Sequence, residues 1–501
     1  MSRHRLRRTT AVAAALSLSV AAAGVAAATF GGHADAARAR ASSTRYPAPV
    51  PDSATMEHAF VAGTQPPPGG VYGHARAFVP SSMQASYDLT PLYDMGIEGQ
   101  GKTIAIVDSF GYPQVASDLE TFSKAYGLPL MCGMPGVTCS SGMPTFKVLR
   151  FGNRKVKASP ASPKANPYGP GMEASNGWAP EVALDTQWAH AIAPKANILL
   201  VVVPTAETLG VQGFPNMMNA EQYVVNHHLA DVVTQSFAAA EDSFGSYASI
   251  RNLRHAYISG TKAGITFMAA SGDSGTVGTT KAPVGKGGRV IPKPEVNWPA
   301  SDPLVTAVGG TNLCTDPVTG TTVDSTDGPA ACQSNPGQHD VAWTGSGGGF
   351  SHVFAKPSYQ DTLPAGSTSI GSMRGVPDVS WDASCGTFVW VYLSAPGFSP
   401  GYYGICGTSA ASPQFAAMVA LADQYGGQDL GLVNPALYSL ASGPNGASYF
   451  NDVVAGNNTQ TGSGIPGYPA TTGWDPVTGL GTPIAANLVP ALAAAGPDTQ
   501  P

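Results

Sequence analysis

A serine in a turn of small residues is the first candidate for chemistry in this sequence. Ser409 lies in CGTSAASPQFAAM (residues 406–418), where the turn leads into a helix-compatible run. Many serine nucleophiles are presented in this way, with the hydroxyl at the positive end of a helix. Because a serine hydroxyl needs an adjacent base to accept its proton, the sequence should also contain that base.

Histidine is the usual base, but none of the ten histidines lies in a glycine-rich turn that opens a helix. His190 lies beside the clearest predicted helix, but after that helix turns apolar. A subtilisin-type triad of Asp108, a histidine and Ser409 therefore stays an alternative rather than the favoured interpretation.

A pair of acidic residues offers another base. In GWAPEVALDTQWAHAIAP, Glu181 and Asp185 are spaced i, i+4, so both carboxylates lie on one helical face, and Pro180 suits the first turn. Such a pair can share a proton, which raises one pKa and lets a glutamate act as a base in acid. The alternative is a solvated acidic face stabilised by the helix dipole.

Asp273 is the third acidic candidate, in the turn of AASGDSG after a predicted buried strand. A protonated aspartic acid there could donate a hydrogen bond to a developing oxyanion. The alternative is an aspartate that only stabilises its own turn.

The elements that position these residues alternate between strand-like and helix-like segments. Continuous β-branched runs, typical of strands buried on both faces, occur at 103–111, 196–204, 230–237, 264–275 and 303–311. Helix-like stretches lie between them at 117–126, 178–192, 219–228 and 250–263. The pattern predicts an α/β fold with a mostly parallel central sheet flanked by helices. Asp108, Ser236 and Asp273 fall at the carboxyl ends of strands, where such folds place their sites.

Composition narrows the possible partners and the compartment. The chain has 501 residues, 43% hydrophobic and only 12% charged, with a formal net charge of −6 and no basic run after the N-terminus, which argues against nucleic acid as a partner. Residues 1–36 combine a basic stretch, an apolar stretch and small residues, as in a secretory signal peptide; a membrane anchor is the alternative. We expect a secreted, extracellular monomer with no membrane attachment after signal removal.

The segment after the signal is polar and rich in proline. Residues 37–84 are interpreted as a short pro-segment or flexible extension, and residues 85–495 as the main globular domain. The chain has six cysteines, and an even number in an exported chain favours disulfide bonds. Pairing of sequence neighbours would give Cys132–Cys139, Cys314–Cys332 and Cys385–Cys406, although the sequence does not fix the connectivity.

Taken together, the motifs resemble the sedolisins, the serine-carboxyl peptidases, which have a subtilisin-like fold. The matching stretches follow the family's order over roughly residues 85–490 and are PEVALDTQWAHAIAP, AASGDSG, GSGGGFS, RGVPDVSWDAS, GTSAASP and GWDPVTGLGTP. The resemblance implies an endopeptidase that hydrolyses proteins or peptides at acidic pH through an acyl-enzyme.

The resemblance also assigns roles to the candidate residues. Ser409 would be the nucleophile, Glu181 the general base and Asp185 the partner that orients it, while Asp273 and the backbone N–H of Ser409 would stabilise the oxyanion. The segments around Ser236 and around Gly347 and Gly348 resemble strands that pair with a substrate, against the alternative of ordinary loop glycines.

Sedolisins bind one calcium ion near the C-terminus, and the corresponding positions here are Asp452, Val453, Thr471, Gly473 and Asp475. Carboxylates with backbone carbonyls suit calcium, whereas a pair of turn aspartates is the alternative.

The sequence departs from the family in one respect. Sedolisins usually carry a large N-terminal pro-domain, and the stretch between signal and catalytic domain is too short for one. This departure keeps open a third interpretation, an exported binding protein on an inactive protease scaffold. Asp108 stands where a subtilisin places its catalytic aspartate and could instead extend the acidic network.

Overall fold

The computed structural model describes residues 55–152, 155–159, 178–205, 213–280, 289–324 and 326–501. The predicted signal peptide and residues 37–54 of the predicted extension lie outside these ranges. The strands are β1 (Thr55–Ala62), β2 (Gly70–Tyr72), β3 (Ala75–Phe78), β4 (Thr103–Ser109), β5 (Phe146–Gly152), β6 (Lys155–Ser159), β7 (Asn197–Val203), β8 (Val232–Gln235), β9 (Ala239–Ala240), β10 (Thr266–Ala270), β11 (Asn297–Trp298), β12 (Thr306–Leu313), β13 (Asp340–Ala342), β14 (Gly349–Ala355), β15 (Met373–Val376), β16 (Val379–Asp382), β17 (Thr387–Leu393), β18 (Gly401–Cys406), β19 (Phe450–Asn451) and β20 (Thr482–Pro483). The helices are α1 (Pro80–Ser86), α2 (Thr90–Asp94), α3 (Val115–Ala125), α4 (Ala179–Ile192), α5 (Phe214–Asn226), α6 (Tyr247–Arg251), α7 (His255–Lys262), α8 (Ala330–Gln333), α9 (Thr408–Gly426), α10 (Asn434–Ser442) and α11 (Ala485–Ala495).

A nine-stranded, mostly parallel sheet organises the fold, in the order β13-β12-β10-β8-β4-β7-β5-β6, with β16 also paired to β12. The inner pairings from β5 through β12 are parallel, whereas β6 and β13 pair antiparallel at the two ends. The predicted α/β class with a mostly parallel sheet is therefore confirmed.

The hydrophobic strand runs arise because helices cover both faces of this sheet. Along β4, Ile104 and Ile106 pack into the core cluster that contains residues of α3, α4, α9 and α11. Their neighbours Ala105 and Val107 pack into the opposite cluster, with residues of α5 and α7. Successive side chains of a strand point to opposite faces, so a strand with helices on both sides has no polar face.

The prediction of a single helix over residues 250–263 is wrong. The stretch 250–263 forms two short helices, α6 and α7, rather than one. Arg254, in the break between them, pairs through two nitrogens with Asp302, at 2.5 and 2.8 Å. The ion pair thus lies where a continuous helix had been expected.

A second, five-stranded sheet runs in the order β1-β18-β17-β3-β2. The residues that follow position 54 thus contribute β1, β2 and β3 to a sheet with the later strands β17 and β18. Arg76 on β3 is fully buried, and its guanidinium donates to the backbone carbonyls of Thr315 and Asp327. Where the globular domain begins, and whether this segment is removed, stay predictions.

The disulfide bonds follow the neighbour pairing suggested above: Cys132–Cys139, Cys314–Cys332 and Cys385–Cys406. In the part of the chain described, no helix combines the length and apolar character needed to cross a bilayer.

Candidate active site

Ser409 is presented by a strand, a tight turn and a helix. Strand β18 ends at Cys406, Gly407 adopts a φ of 117°, and α9 begins at Thr408. A positive φ of this size favours glycine, so Gly407 lets the chain turn sharply from strand to helix. The disulfide between Cys385 and Cys406 anchors the strand just before this turn. Ser409 is fully buried in the first turn of α9.

Glu181 and Asp185 lie on α4, and every residue of that helix is buried. The alternative of a solvated acidic face is therefore wrong. Burial raises the pKa of both carboxyl groups well above their usual ranges, because the charged form is deprived of solvent. The charge of Glu181 further raises the pKa of Asp185.

Asp108 joins this pair from the carboxyl end of β4. It is fully buried, and burial raises its pKa from 3.8 to about 8. Its negative charge raises the pKa of both Glu181 and Asp185, which places the three carboxyl groups in one electrostatic cluster. Neither carboxyl oxygen of Asp108 forms a hydrogen bond with the described residues.

Two serines contact the acidic pair. Hydrogen bonding from Ser409 and from Ser236 lowers the pKa of Glu181, and Ser236 also lowers that of Asp185, in both cases against the larger effect of burial. The oxygens of Glu181 and Asp185 form no hydrogen bond of standard geometry with the described residues, so these contacts are loose. Catalytic hydrogen bonds are often long without substrate and shorten when the substrate binds.

Asp273 lies in the turn after β10. Its charge acts on Glu181 and raises the pKa of that group. Its Oδ1 accepts hydrogen bonds from the backbone N–H of Thr408, at 2.7 Å, and from the Thr408 hydroxyl, at 2.9 Å. Asp273, the candidate for stabilising the oxyanion, is thereby hydrogen-bonded to the residue that precedes Ser409.

Of the predicted substrate-pairing residues, Ser236 contacts the acidic pair, and the backbone N–H of Gly347 donates to the carbonyl of Gly272, next to Asp273. Ser236 follows β8 and is fully buried. A Cβ atom at Gly347 would lie 2.1 Å from the carbonyl oxygen of Ser271, and one at Gly348 would lie 2.1 Å from that of Pro476. The close approach of other parts of the protein therefore requires glycine at both positions, whether or not a substrate pairs there.

His190, the histidine that follows the acidic pair in the sequence, is bound to a backbone carbonyl rather than to Asp108. His190 is fully buried, burial lowers its pKa to about 4, and its Nε2 lies 2.9 Å from the carbonyl oxygen of Pro129. Asp108, which would orient a histidine in such a triad, makes no hydrogen bond with one in the described part of the chain.

Asp452 and the segment 471–475 lie together. The backbone N–H of Gly473 lies 3.1 Å from both carboxylate oxygens of Asp452. Among the described residues, no donor reaches the carbonyl oxygens of Val453, Thr471 or Gly473. A carboxylate beside carbonyls that lack donors has the chemistry that calcium prefers, so these residues fit the ion.

Asp475 differs from Asp452 in its burial and in its hydrogen bonds. It is fully buried, and burial raises its pKa to about 7. Its carboxylate accepts hydrogen bonds from the backbone N–H groups of Thr471, Val477 and Thr478 and from the Thr478 hydroxyl. Asp475 therefore stabilises its own turn, as the turn-aspartate alternative expects, and Asp452 is the more accessible carboxylate for an ion.

Another group of ligand-type side chains, Asp242, Glu295 and His352, has ligand atoms within 4.8 Å of one another. The ammonium of Lys293 lies 2.5 Å from Asp242 and 3.3 Å from Nδ1 of His352. A lysine of the chain thus already supplies positive charge at this position.

Sequence reasoning missed one residue of the site, Thr408. The only signal was its place in GTSAASP immediately before the serine. Its contact with Asp273 joins residues 135 positions apart, which spacing along the chain does not reveal.

Comparison with known proteins gives consistent matches. A model described as the subtilase family matches residues 176–431, a range that includes Glu181, Asp185, Asp273 and Ser409. The chain is 31% identical to kumamolisin from Bacillus sp. (strain MN-32) over 435 residues, which is 85% of this chain and 65% of that protein. It is 30% identical to sedolisin from Pseudomonas sp. (strain 101), over 54% of this chain and 42% of that one. With tripeptidyl-peptidase 1 from Canis lupus familiaris it shares 33% identity, over 53% of this chain and 43% of that protein.

The chain thus spans less than two thirds of the length of these relatives. A solved structure of Pseudomonas sedolisin, described as a serine-carboxyl proteinase complexed with two molecules of pseudo-iodotyrostatin, superposes with a TM-score of 0.62 at 24% identity. That match covers 84% of this chain and 99% of the solved one, and it shows a shared fold.

Proposed function

From the premise that the chain belongs to the subtilase family and is similar to the sedolisins within it, we propose that it is a serine endopeptidase that hydrolyses proteins or peptides at acidic pH. The observation that carries the proposal is the contact of the Ser409 hydroxyl with the buried carboxyl group of Glu181. A carboxyl group in this position can accept the proton that a serine nucleophile must lose.

In the proposed mechanism, Oγ of Ser409 attacks the peptide carbonyl carbon while Glu181 takes the hydroxyl proton. The oxyanion accepts hydrogen bonds from the backbone N–H of Ser409 and from the carboxylic acid of Asp273. Glu181 then donates its proton to the leaving nitrogen as the C–N bond breaks, which leaves an acyl-enzyme. A water molecule attacks the ester carbon, Glu181 takes a proton from it, and that proton returns to Ser409 as the acid product leaves.

The acid dependence follows from what each carboxyl group must do. The cluster of Glu181 and Asp185 must retain one negative charge to act as a base, so activity falls at very low pH. Asp273 must hold a proton to donate to the oxyanion, so activity falls again as the pH rises. Burial favours the protonated forms of the cluster, but the loose serine contacts oppose this effect at Glu181.

The experiment that tests the proposal compares the purified chain with its Ser409→Ala variant. Both are incubated with an unfolded protein substrate between pH 2 and pH 8, and the products are identified by mass spectrometry. We expect internal cleavage that is greatest in acid and absent from the variant. Equal cleavage by both proteins, or none by either, would contradict the proposal; activity confined to neutral pH would favour a histidine base.

Calcium and export are further parts of the proposal. Asp452 and the carbonyls of Val453, Thr471 and Gly473 would hold one calcium ion, whose charge would fix the C-terminal loops. Because a protonated carboxyl group binds metal poorly, the ion would be held less tightly as the pH falls. The signal-like segment 1–36 supports secretion, and the three disulfides suit an oxidising compartment.

A further inference from the structure

We infer that Thr408 is a positioning residue that fixes the orientation and the protonated oxygen of Asp273. This inference rests on the proposed function and adds a residue to its oxyanion site. Thr408 does not touch the reacting atoms; it acts through the carboxyl group that does.

The argument begins with the direction of the hydrogen bonds at the Thr408 hydroxyl. The backbone N–H of Gly272 lies 3.0 Å from Oγ1 of Thr408, and an N–H can only donate. Oγ1 of Thr408 lies 2.9 Å from Oδ1 of Asp273, so the hydroxyl proton is directed at that oxygen. The hydroxyl is buried, so its neighbours determine that it accepts from Gly272 and donates to Asp273.

The next step concerns the two oxygens of Asp273. Oδ1 accepts two hydrogen bonds from Thr408, one from the hydroxyl and one from the backbone N–H at 2.7 Å. An oxygen that accepts two hydrogen bonds has used both of its lone pairs and acts as the carbonyl oxygen of a carboxylic acid. When Asp273 is protonated, the two hydrogen bonds accepted by Oδ1 therefore direct its proton to Oδ2, from which it can be donated to the oxyanion.

The position of Thr408 links this acid to the nucleophile. Thr408 is the first residue of α9 and directly precedes Ser409. The same short segment thus carries the serine and holds the acid, so the distance between them depends on few intervening bonds. An oxyanion donor must be held in place before reaction to be effective, and a small displacement can cost activity.

The pH dependence of activity distinguishes a positioning role of the Thr408 hydroxyl from a purely structural one. Hydrogen bonds to a carboxylate favour its charged form, so removal of the Thr408 hydroxyl should raise the pKa of Asp273. The elements β4 and α4 contribute the carboxyl groups of Asp108, Glu181 and Asp185, whose oxygens form no hydrogen bond with Thr408. The alkaline limb of the pH profile should therefore move upward while the acid limb stays in place.

The test uses the full chain and three variants. Thr408→Val removes the hydroxyl but keeps the shape and the backbone N–H, and Thr408→Ser restores a hydroxyl. Thr266→Val is the matched control, since Thr266 is also buried and its hydroxyl donates to the carbonyl of Gly431, away from the site. For each protein, kcat and KM are measured across the pH range, and circular dichroism reports whether the variant is folded.

We expect Thr408→Val to lose roughly 10- to 100-fold in kcat with KM nearly unchanged, and to shift the alkaline limb to higher pH. Thr408→Ser should recover most of the activity, and Thr266→Val should match the parent chain. A folded Thr408→Val protein with the kinetics of the Thr266→Val control would overturn the inference while leaving the proposed peptidase intact. If the parent chain and its Ser409→Ala variant were equally inactive, the proposed function itself would have failed.

Discussion

The negative charge of Asp108, at the end of β4, acts on Glu181 of α4, and the same charge acts on Asp185 one turn further along the helix. Three buried carboxyl groups in one cluster are costly when ionised. They are compatible with a stable fold at low pH, where most of them are neutral.

Replacement of Asp108 by asparagine tests this relationship through stability. The folded chain holds a proton on Asp108 up to about pH 8, whereas the unfolded chain releases it near 3.8. The folded state is therefore progressively destabilised, relative to its stability in acid, as the pH rises through this window. We expect Asp108→Asn to flatten the decline of the urea midpoint between pH 4 and pH 8, and to change activity in acid by less than about tenfold.

The control for this measurement is Asp361→Asn. Asp361 is 63% exposed and pairs with Lys356 at the surface, so its replacement should alter stability by no more than about 0.5 kcal/mol. An unchanged slope in Asp108→Asn would show that Asp108 does not titrate in this window.

Glu181 and Ser409 should act as one unit in catalysis. We expect Glu181→Gln and Ser409→Ala each to reduce kcat by roughly 10³-fold or more, and the double variant to be little worse than either single one, because the two residues serve the same step. Steady-state kinetics at acidic pH measure all three. Glu221→Gln is the matched control, since Glu221 is an equally buried glutamate on α5. If the loss of kcat in the double variant equalled the product of the two single losses, the result would argue against a shared role.

His190 should be dispensable for activity. Its imidazole is held by the carbonyl of Pro129 and has no part in the proposed chemistry. We expect His190→Gln to retain kcat/KM within about threefold when it is measured on folded protein, since glutamine can also donate to a carbonyl. Loss of activity in a folded His190→Gln protein, together with full activity in Glu181→Gln, would restore the histidine-based alternative.

Calcium should stabilise the chain through Asp452. Saturation at a hundredfold excess over Kd would add about 2.7 kcal/mol to the free energy of unfolding. We expect calcium to raise the melting temperature at neutral pH, a chelator to reverse the change, and Asp452→Asn to abolish it. Asp242→Asn alters the other acidic group and should leave the response intact. If Asp242→Asn abolished the response and Asp452→Asn retained it, the calcium site would instead be the group of Asp242, Glu295 and His352.

The sequence allowed much of the central sheet to be predicted, because strands buried on both faces leave long apolar runs such as that of β7. It could not distinguish residues that act in chemistry from residues that hold the fold. The RGVPDVSWDAS motif supported the family resemblance, yet its arginine and first aspartate form a fully buried ion pair, Arg374–Asp378, at 2.7 Å. The Tyr438 hydroxyl also donates to this aspartate.

Contacts between distant segments were the main limit of the sequence analysis. The family resemblance allowed Asp108 to be proposed as an extension of the acidic network, but nothing in the spacing of the residues indicates that Thr408 holds Asp273. Arg254, in the break between α6 and α7, pairs with Asp302, which lies 48 residues further along the chain. Local patterns predicted the elements, whereas the side-chain partners depended on how the chain brings those elements together.

Strand β1 pairs antiparallel with β18, the strand that leads to the serine turn, and occupies the edge of the five-stranded sheet. Proteolysis in the connection after Ala62 would release this strand and uncover a row of backbone donors and acceptors on β18. An uncovered edge of that kind readily recruits another extended chain. Trimming of the chain at this point would thus change its capacity for self-association as well as its length.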